Sequence, residues 1–181
     1  MKRIKILLTA LLIVTAAFTY AQTAVTRSSV TYQVKNLGIT TGGKFGGFQA
    51  DIRFDPAQLT NSTIEASIDV NTVDSDNSTR DGHLKSAKFF DAEHYPRILL
   101  KSLSFQRKSG NNYTGKFNLT IKGITKQVDV PFTYTAGNGK AGYNGSFIIN
   151  RKDFNVGGSS LVLANEVTVF IMAETGIVPS K

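Results

Sequence analysis

Period-two alternation runs through most of this chain and leaves few folds open to it. From Tyr113 to Lys122, Tyr113, Gly115, Phe117, Leu119 and Ile121 occupy one parity, and Thr114, Lys116, Asn118, Thr120 and Lys122 the other. Successive side chains of a strand point to opposite faces, so this segment is a strand with one apolar and one polar face. Residues 64–71 repeat the pattern, with Ile64, Ala66, Ile68 and Val70 against Glu65, Ser67, Asp69 and Asn71. Related runs occur at Val30-Tyr32-Val34, Phe48-Ala50-Ile52-Phe54, Val128-Val130-Phe132-Tyr134, Phe147-Ile149 and Val167-Val169-Ile171, and a less regular one covers Ile98 to Phe105, eight strands in all.

Turn chemistry separates the runs at Gly42-Gly43, Asp55-Pro56, Gly110-Asn111-Asn112, Lys122-Gly123 and Asn138-Gly139. Connections this short join antiparallel neighbours. Only residues 78–90 have the length and composition for a helix, with Ser78 as N-cap and Asp81 three positions on. The fold expected is all-β: an eight-stranded antiparallel β-barrel with one short helix between strands 3 and 4. Closure is favoured over a two-sheet sandwich because it removes exposed edges. The interior of such a barrel is either filled by side chains or holds one small ligand, and alternation does not distinguish the two. An outer-membrane barrel with its apolar face turned to lipid fits poorly. The chain has no tryptophan, shows no pair of aromatic girdles, and carries Lys, Asp and Glu on a polar parity suited to water.

The first 21 residues read separately. Lys2, Arg3 and Lys5 precede a largely apolar run from Ile6 to Tyr20, and Thr19 and Ala21 are the small residues before a cleavage point at Gln22. This is the pattern of a cleavable signal peptide over residues 1–21, which implies a periplasmic or secreted protein. The apolar run of fifteen residues is shorter than the roughly 20 a membrane-spanning helix needs. Residues 22–181 suffice for one domain with its own core. They hold eighteen basic and thirteen acidic residues, a net charge of +5 against +8 for the whole chain. That bias suits anionic head groups or phosphate, whereas no basic stripe with interleaved aromatics speaks for nucleic acid. The chain has no cysteine, so the domain is held by its core, without disulfides.

Catalytic patterns are missing. His83 and His94 stand eleven apart without any cysteine, which matches no zinc-binding spacing, and no Gly-x-Ser-x-Gly elbow occurs. The glycine pairs at 42–43 and 46–47 lie between strands, not at a strand-to-helix turn that could cradle phosphate. Asp74 and Asp76 flank a turn, and Asp81 with His83 has no nucleophile beside it. The expectation is a protein that is not an enzyme and uses no cofactor or metal.

Four segments resemble the YceI-like family in order and spacing: VTYQVKNLGITTGGKFGGFQADIRFDP, NSTRDGHLKSAKFFDAEHYPRI, GKFNLTIKGITKQVDVPFTY and IINRKDFNVGGSSLVLANEVTV. They cover nearly all of residues 22–181, and the second is the most specific. The resemblance implies a lipocalin-like barrel around an elongated apolar tunnel that binds a polyisoprenoid lipid outside the bacterial cytoplasm, with polar residues near its mouth meeting the head group. On that footing the tunnel is expected to be lined by Tyr32, Val34, Phe48, Ile64, Ile68, Leu84, Phe89, Phe90, Phe117, Leu119, Phe132, Phe147, Phe154 and Val169. Asn36, Arg80, His83 and Arg151 are the head-group candidates. Asn36 stands where many members have histidine, and it cannot titrate near neutral pH. Asn155 stands where the family's RKDFG has glycine, and asparagine tolerates the left-handed conformation better than most residues.

Several of these residues carry a structural reading beside the ligand one. Arg80 and Asp81 could tie the helix to the barrel by a local ion pair and cap. His83 could be a surface residue, Phe89 and Phe90 aromatic plugs over the barrel, and Arg151 the anchor of a turn. The implied function is to hold an isoprenoid quinone or polyprenyl phosphate for transport, storage or stress protection. The alternatives are a structural or adhesive barrel with a solid core and an enzyme of unrecognised type. Transient contact with a membrane surface and a homodimer are compatible with the lipid-binding reading.

Overall fold

The computed structural model describes residues 24–176; the expected signal peptide lies outside the described residues. Nine strands are formed: β1 (Val25–Asn36), β2 (Ile39–Phe45), β3 (Gln49–Arg53), β4 (Thr63–Asp69), β5 (Arg97–Ser109), β6 (Asn112–Ile121), β7 (Ile124–Gly137), β8 (Lys140–Asn150) and β9 (Leu163–Gly176). They make one antiparallel sheet in the order β2-β1-β9-β8-β7-β6-β5-β4-β3. One helix, α1 (Ser78–Lys85), lies between β4 and β5.

That order places β2 and β3 at opposite edges, although only Gly46, Gly47 and Phe48 separate them in the chain. Residues 39–53 therefore act as one bent strand whose first part pairs with β1 (Val30 opposite Phe45) and whose second pairs with β4 (Gln49 opposite Ser67). The bend carries the sheet round into a curled, lipocalin-like barrel. Gly47 permits it: its φ is +61°, and a Cβ there would sit 2.7 Å from Cβ of Asp69. The seam is held by Asp69 N–H donating to Gly46 O at 3.2 Å. Beyond β4, the chain pairs with the free edge of β2: Lys44 N donates to Asp74 O at 2.8 Å and Asp74 N to Lys44 O at 3.0 Å.

The expected count of eight strands thus becomes nine. Gly42 and Gly43 do not turn; they lie within β2, opposite Gln33 and Tyr32. Their smallness makes room, since a Cβ on Gly43 would come 2.8 Å from the Tyr32 hydroxyl. The hairpin turn falls at Leu37-Gly38, with φ of 52° and 78°. Three more two-residue turns fall where the sequence places them: Lys122-Gly123 and Asn138-Gly139 with both residues at positive φ, and Gly110-Asn111 with the glycine alone at positive φ. The helix also differs from expectation. Its N-cap is Asn77, one residue earlier, whose Oδ1 accepts from Arg80 N at 2.9 Å. It ends at Lys85 because Ser86 turns extended and donates its hydroxyl to His83 O at 2.7 Å.

The apolar parity faces inward. In β6, Tyr113, Gly115, Phe117, Leu119 and Ile121 are buried while Lys116 is exposed. A lipid-facing barrel requires the reverse. The interior then divides along its length. At the end that carries the β5–β6 and β7–β8 turns, Phe54 sits at the centre of an aromatic plug. Its ring lies 5.3 Å from Phe105, 5.1 Å from Tyr113, 5.4 Å from Phe132, 5.2 Å from Tyr134 and 6.0 Å from Tyr143, mostly edge to face. At the opposite end the Leu37-Gly38 turn, α1 with the segment after it, the Lys122-Gly123 turn and the long β8–β9 connection form a crown.

Candidate functional site

Between plug and crown lies a cavity of about 790 Å³ with mainly apolar walls. Eleven of the fourteen residues expected to line a tunnel do line it: Tyr32, Val34, Phe48, Ile68, Leu84, Phe89, Phe90, Leu119, Phe147, Phe154 and Val169. Ile64, Phe117 and Phe132 do not. They face inward as the alternation requires, but they pack in the core around the aromatic plug. Parity fixes which face a side chain occupies and leaves its height along the barrel axis open. Phe117 stacks edge-on against Phe105, 5.8 Å away, over the space left by Gly115, where a Cβ would come 2.4 Å from its ring.

The four head-group candidates all border the cavity, in different chemical states. Arg151 is 3% exposed and uses its full set of five N–H donors on the β8–β9 connection and the start of β9. Nε donates to Ala164 O at 2.9 Å, Nη1 to Val156 O at 2.7 Å and Gly158 O at 2.8 Å, and Nη2 to Leu163 O at 3.1 Å and Asn165 Oδ1 at 3.4 Å. Burial pushes its pKa below the usual arginine value. The expected head-group role is therefore corrected: Arg151 is the anchor of the β8–β9 connection, with no donor left for a ligand.

Arg80 is half anchor. Its Nε donates to Ser75 Oγ at 2.9 Å and its Nη2 to Ser75 O. Asp81 Oδ1 accepts from Ser75 N at 2.9 Å and Ser75 Oγ at 2.5 Å. The expected Arg80–Asp81 ion pair is replaced by shared attachment to Ser75. Nη1 of Arg80 makes no hydrogen bond among the described residues, and the side chain borders the cavity. The His83 imidazole and the Asn36 amide, both on exposed residues, also lack partners among the described residues. Tyr32 reaches the same region from the wall. Burial, with help from Asp81 and Asp74 and against Arg80, pushes its hydroxyl up to about 12, so it stays a neutral hydrogen-bonding group.

Lys88 joins the site without a motif that singles it out. It borders the cavity, is exposed, and carries an ammonium without an ion pair among the described residues. Its position between the helix and Phe89-Phe90, inside the second of the four family-like segments, is the available clue. Phe45 escapes the sequence because Gly42-Gly43 has turn chemistry and masks the strand that carries it. The stretch from Val156 to Leu163 was hidden because it has no periodicity, yet Val156, Gly157, Ser159, Ser160, Val162 and Leu163 form one wall of the mouth.

A curled antiparallel barrel, plugged at one end and hollow and apolar toward the other, with polar groups ringing the opening, defines the lipocalin-like class of single-cavity barrels. Within that class the family is also identified. A model of the YceI-like domain matches residues 21–175, and the chain belongs to the YceI-like family. A UPF0312 protein of Vibrio cholerae serotype O1 is 30% identical over 145 residues, covering 75% of this chain and 77% of its own. Among solved structures, Burkholderia cenocepacia BcnA is 29% identical with a TM-score of 0.78, covering 81% of this chain and 95% of its own. A Saccharophagus degradans domain described as polyisoprenoid binding shares the fold at 13% identity and a TM-score of 0.66, covering 87% of this chain and 98% of its own.

Proposed function

We propose that this chain is a periplasmic or secreted binding protein that encloses the tail of an isoprenoid lipid in its cavity and meets the head group at the crown. The observation that carries this is the cavity itself: about 790 Å³, the size of a ligand site, in a barrel whose other half is solidly packed. A structural or adhesive barrel has no need to keep half its interior open against dense packing. The likeness to a domain described as polyisoprenoid binding supports the choice of lipid.

The volume bounds the tail. A methylene occupies about as much space as a water in the liquid, roughly 30 Å³, so the cavity accommodates on the order of 25 heavy atoms, or about five isoprene units. Each five-carbon unit contributes about 4 kcal/mol gross at roughly 0.8 kcal/mol per buried CH₂. Five units give about 20 kcal/mol, near the practical ceiling of about 18 to 21 kcal/mol, before the cost of ordering the lipid is subtracted. Additional units in a longer tail add little. Arg80, His83, Lys88 and Asn36 offer donors to a phosphate or a quinone carbonyl, and the role is carriage or storage of the lipid through an aqueous compartment, without chemistry on it.

Native mass spectrometry of gently purified protein, followed by solvent extraction, tests the proposal. A copurifying isoprenoid is the expected result. Delipidated protein should then gain about 2.7 kcal/mol of stability at a hundredfold excess of ligand over its dissociation constant. A melting temperature unmoved by quinones, polyprenyl phosphates and long-chain fatty acids alike would return the barrel to a structural role.

A further inference from the structure

The crown carries an exposed apolar lip that the cavity does not use. Leu37 and Ile39 of the first hairpin are 71% and 72% exposed, Leu161 of the β8–β9 connection is fully exposed, and Val162 beside it is about half exposed. Leu37 N–H donates to Val162 O at 2.9 Å, so the two loops form one projection. Val162 and Asn36 also border the cavity, which makes the lip continuous with the cavity wall.

Leu37 is out of place on stability grounds. It holds a left-handed φ of 52° in a turn type that favours asparagine or aspartate at that position. The chain's other two such turns use Lys122 and Asn138 there. A strained, water-exposed leucine gains nothing for the fold, and strain of this kind concentrates at functional positions. Lys35 precedes the lip by two residues and Lys88 borders the same cavity, both exposed and without ion pairs among the described residues.

We infer that this lip docks on a lipid bilayer, with Leu37, Ile39 and Leu161 entering the head-group boundary and the lysines resting on anionic head groups, so that a lipid passes between membrane and cavity along an apolar path. Apolar side chains backed by cations are the chemistry of reversible interfacial anchoring. The inference rests on the lipid-binding reading, because continuity with the cavity mouth is what selects a bilayer over another protein as the occupant.

The test uses ligand-free vesicles of phosphatidylethanolamine and phosphatidylglycerol in a co-sedimentation assay, comparing wild type with the triple variant Leu37→Ser, Ile39→Ser, Leu161→Ser. None of the three borders the cavity, so binding of a short isoprenoid alcohol delivered from cyclodextrin should stay unchanged. Vesicle affinity of the variant should fall by about tenfold or more, given the apolar area withdrawn. Extraction of a labelled isoprenoid from vesicles should slow in parallel. Equal vesicle binding by variant and wild type overturns the inference, as does a wild type that ignores vesicles. Sedimentation showing a wild-type dimer that the variant loses, without vesicle binding, would assign the lip to a second copy and also overturn it. Failure of the cyclodextrin-delivered ligand to bind would instead strike the lipid-binding reading, and lip-dependent vesicle binding would still uphold docking.

Discussion

Replacing Arg151 by lysine should destabilise the whole domain and weaken every ligand by a similar factor. The guanidinium is buried and makes five hydrogen bonds, four of them to main-chain carbonyls, two in the β8–β9 connection and two at the start of β9. A lysine ammonium has three donors at a single point, so at least two acceptors lose their partner. Each buried polar group left unpaired costs about 1 to 3 kcal/mol, giving a loss of about 2 to 6 kcal/mol for two. In a domain of this size 1 kcal/mol moves the melting temperature by about 2 to 4 °C, so the fall should be roughly 4 to 24 °C. The loosened connection supplies the wall from Val156 to Leu163, and affinity should drop for quinone and polyprenyl phosphate alike. Calorimetry of delipidated protein and titration with both ligands measure the two effects. A variant with unchanged melting temperature that loses only the phosphate ligand would refute the anchor and restore Arg151 to the head-group site.

Burial pushes the Tyr32 hydroxyl up from its ordinary value of 10.0 to about 12 in the fold, so the unfolded state loses its proton first and stability falls as pH rises through that window. Tyr32→Phe should flatten part of that loss in denaturant titrations between those two values. Leu119, buried and on the cavity wall, should not tolerate charge: Leu119→Asp protein that folds and still copurifies with lipid would take this wall out of the binding site. Gly115→Val should strain the plug against Phe117 and Phe105, destabilising by about 1 to 3 kcal/mol, with ligand affinity measured on the folded fraction unchanged. Lys88→Gln and Arg80→Gln should each weaken a phosphate ligand by roughly ten- to a hundredfold, the worth of a charge-assisted hydrogen bond. A fully quinone-like response, small and insensitive to salt, would remove these cations from head-group recognition.

Alternation along β6 and β4, and the Lys122-Gly123 and Asn138-Gly139 turns, made the all-β antiparallel fold and its inward face readable from the chain alone. These are local properties: side-chain period and turn chemistry act between residues a few positions apart. What the strands enclose is not local. Phe117 and Leu119 share a parity and a strand, yet one packs against the plug and the other lines the cavity, because height along the barrel axis depends on how Phe54, Phe105 and Tyr113 converge from separate strands. Gly42-Gly43 reads as a turn until Tyr32 is seen across the ladder filling the space they leave. Arg151 and Arg80 are equivalent as letters, and only the folding of the β8–β9 connection around one of them, and of Ser75 against part of the other, decides which cation keeps a free donor at the mouth. Short-range periodicity thus carries the antiparallel strands and their inward face; where the barrel is hollow and which polar groups meet the opening follow from contacts between residues far apart in the chain, which no local pattern encodes.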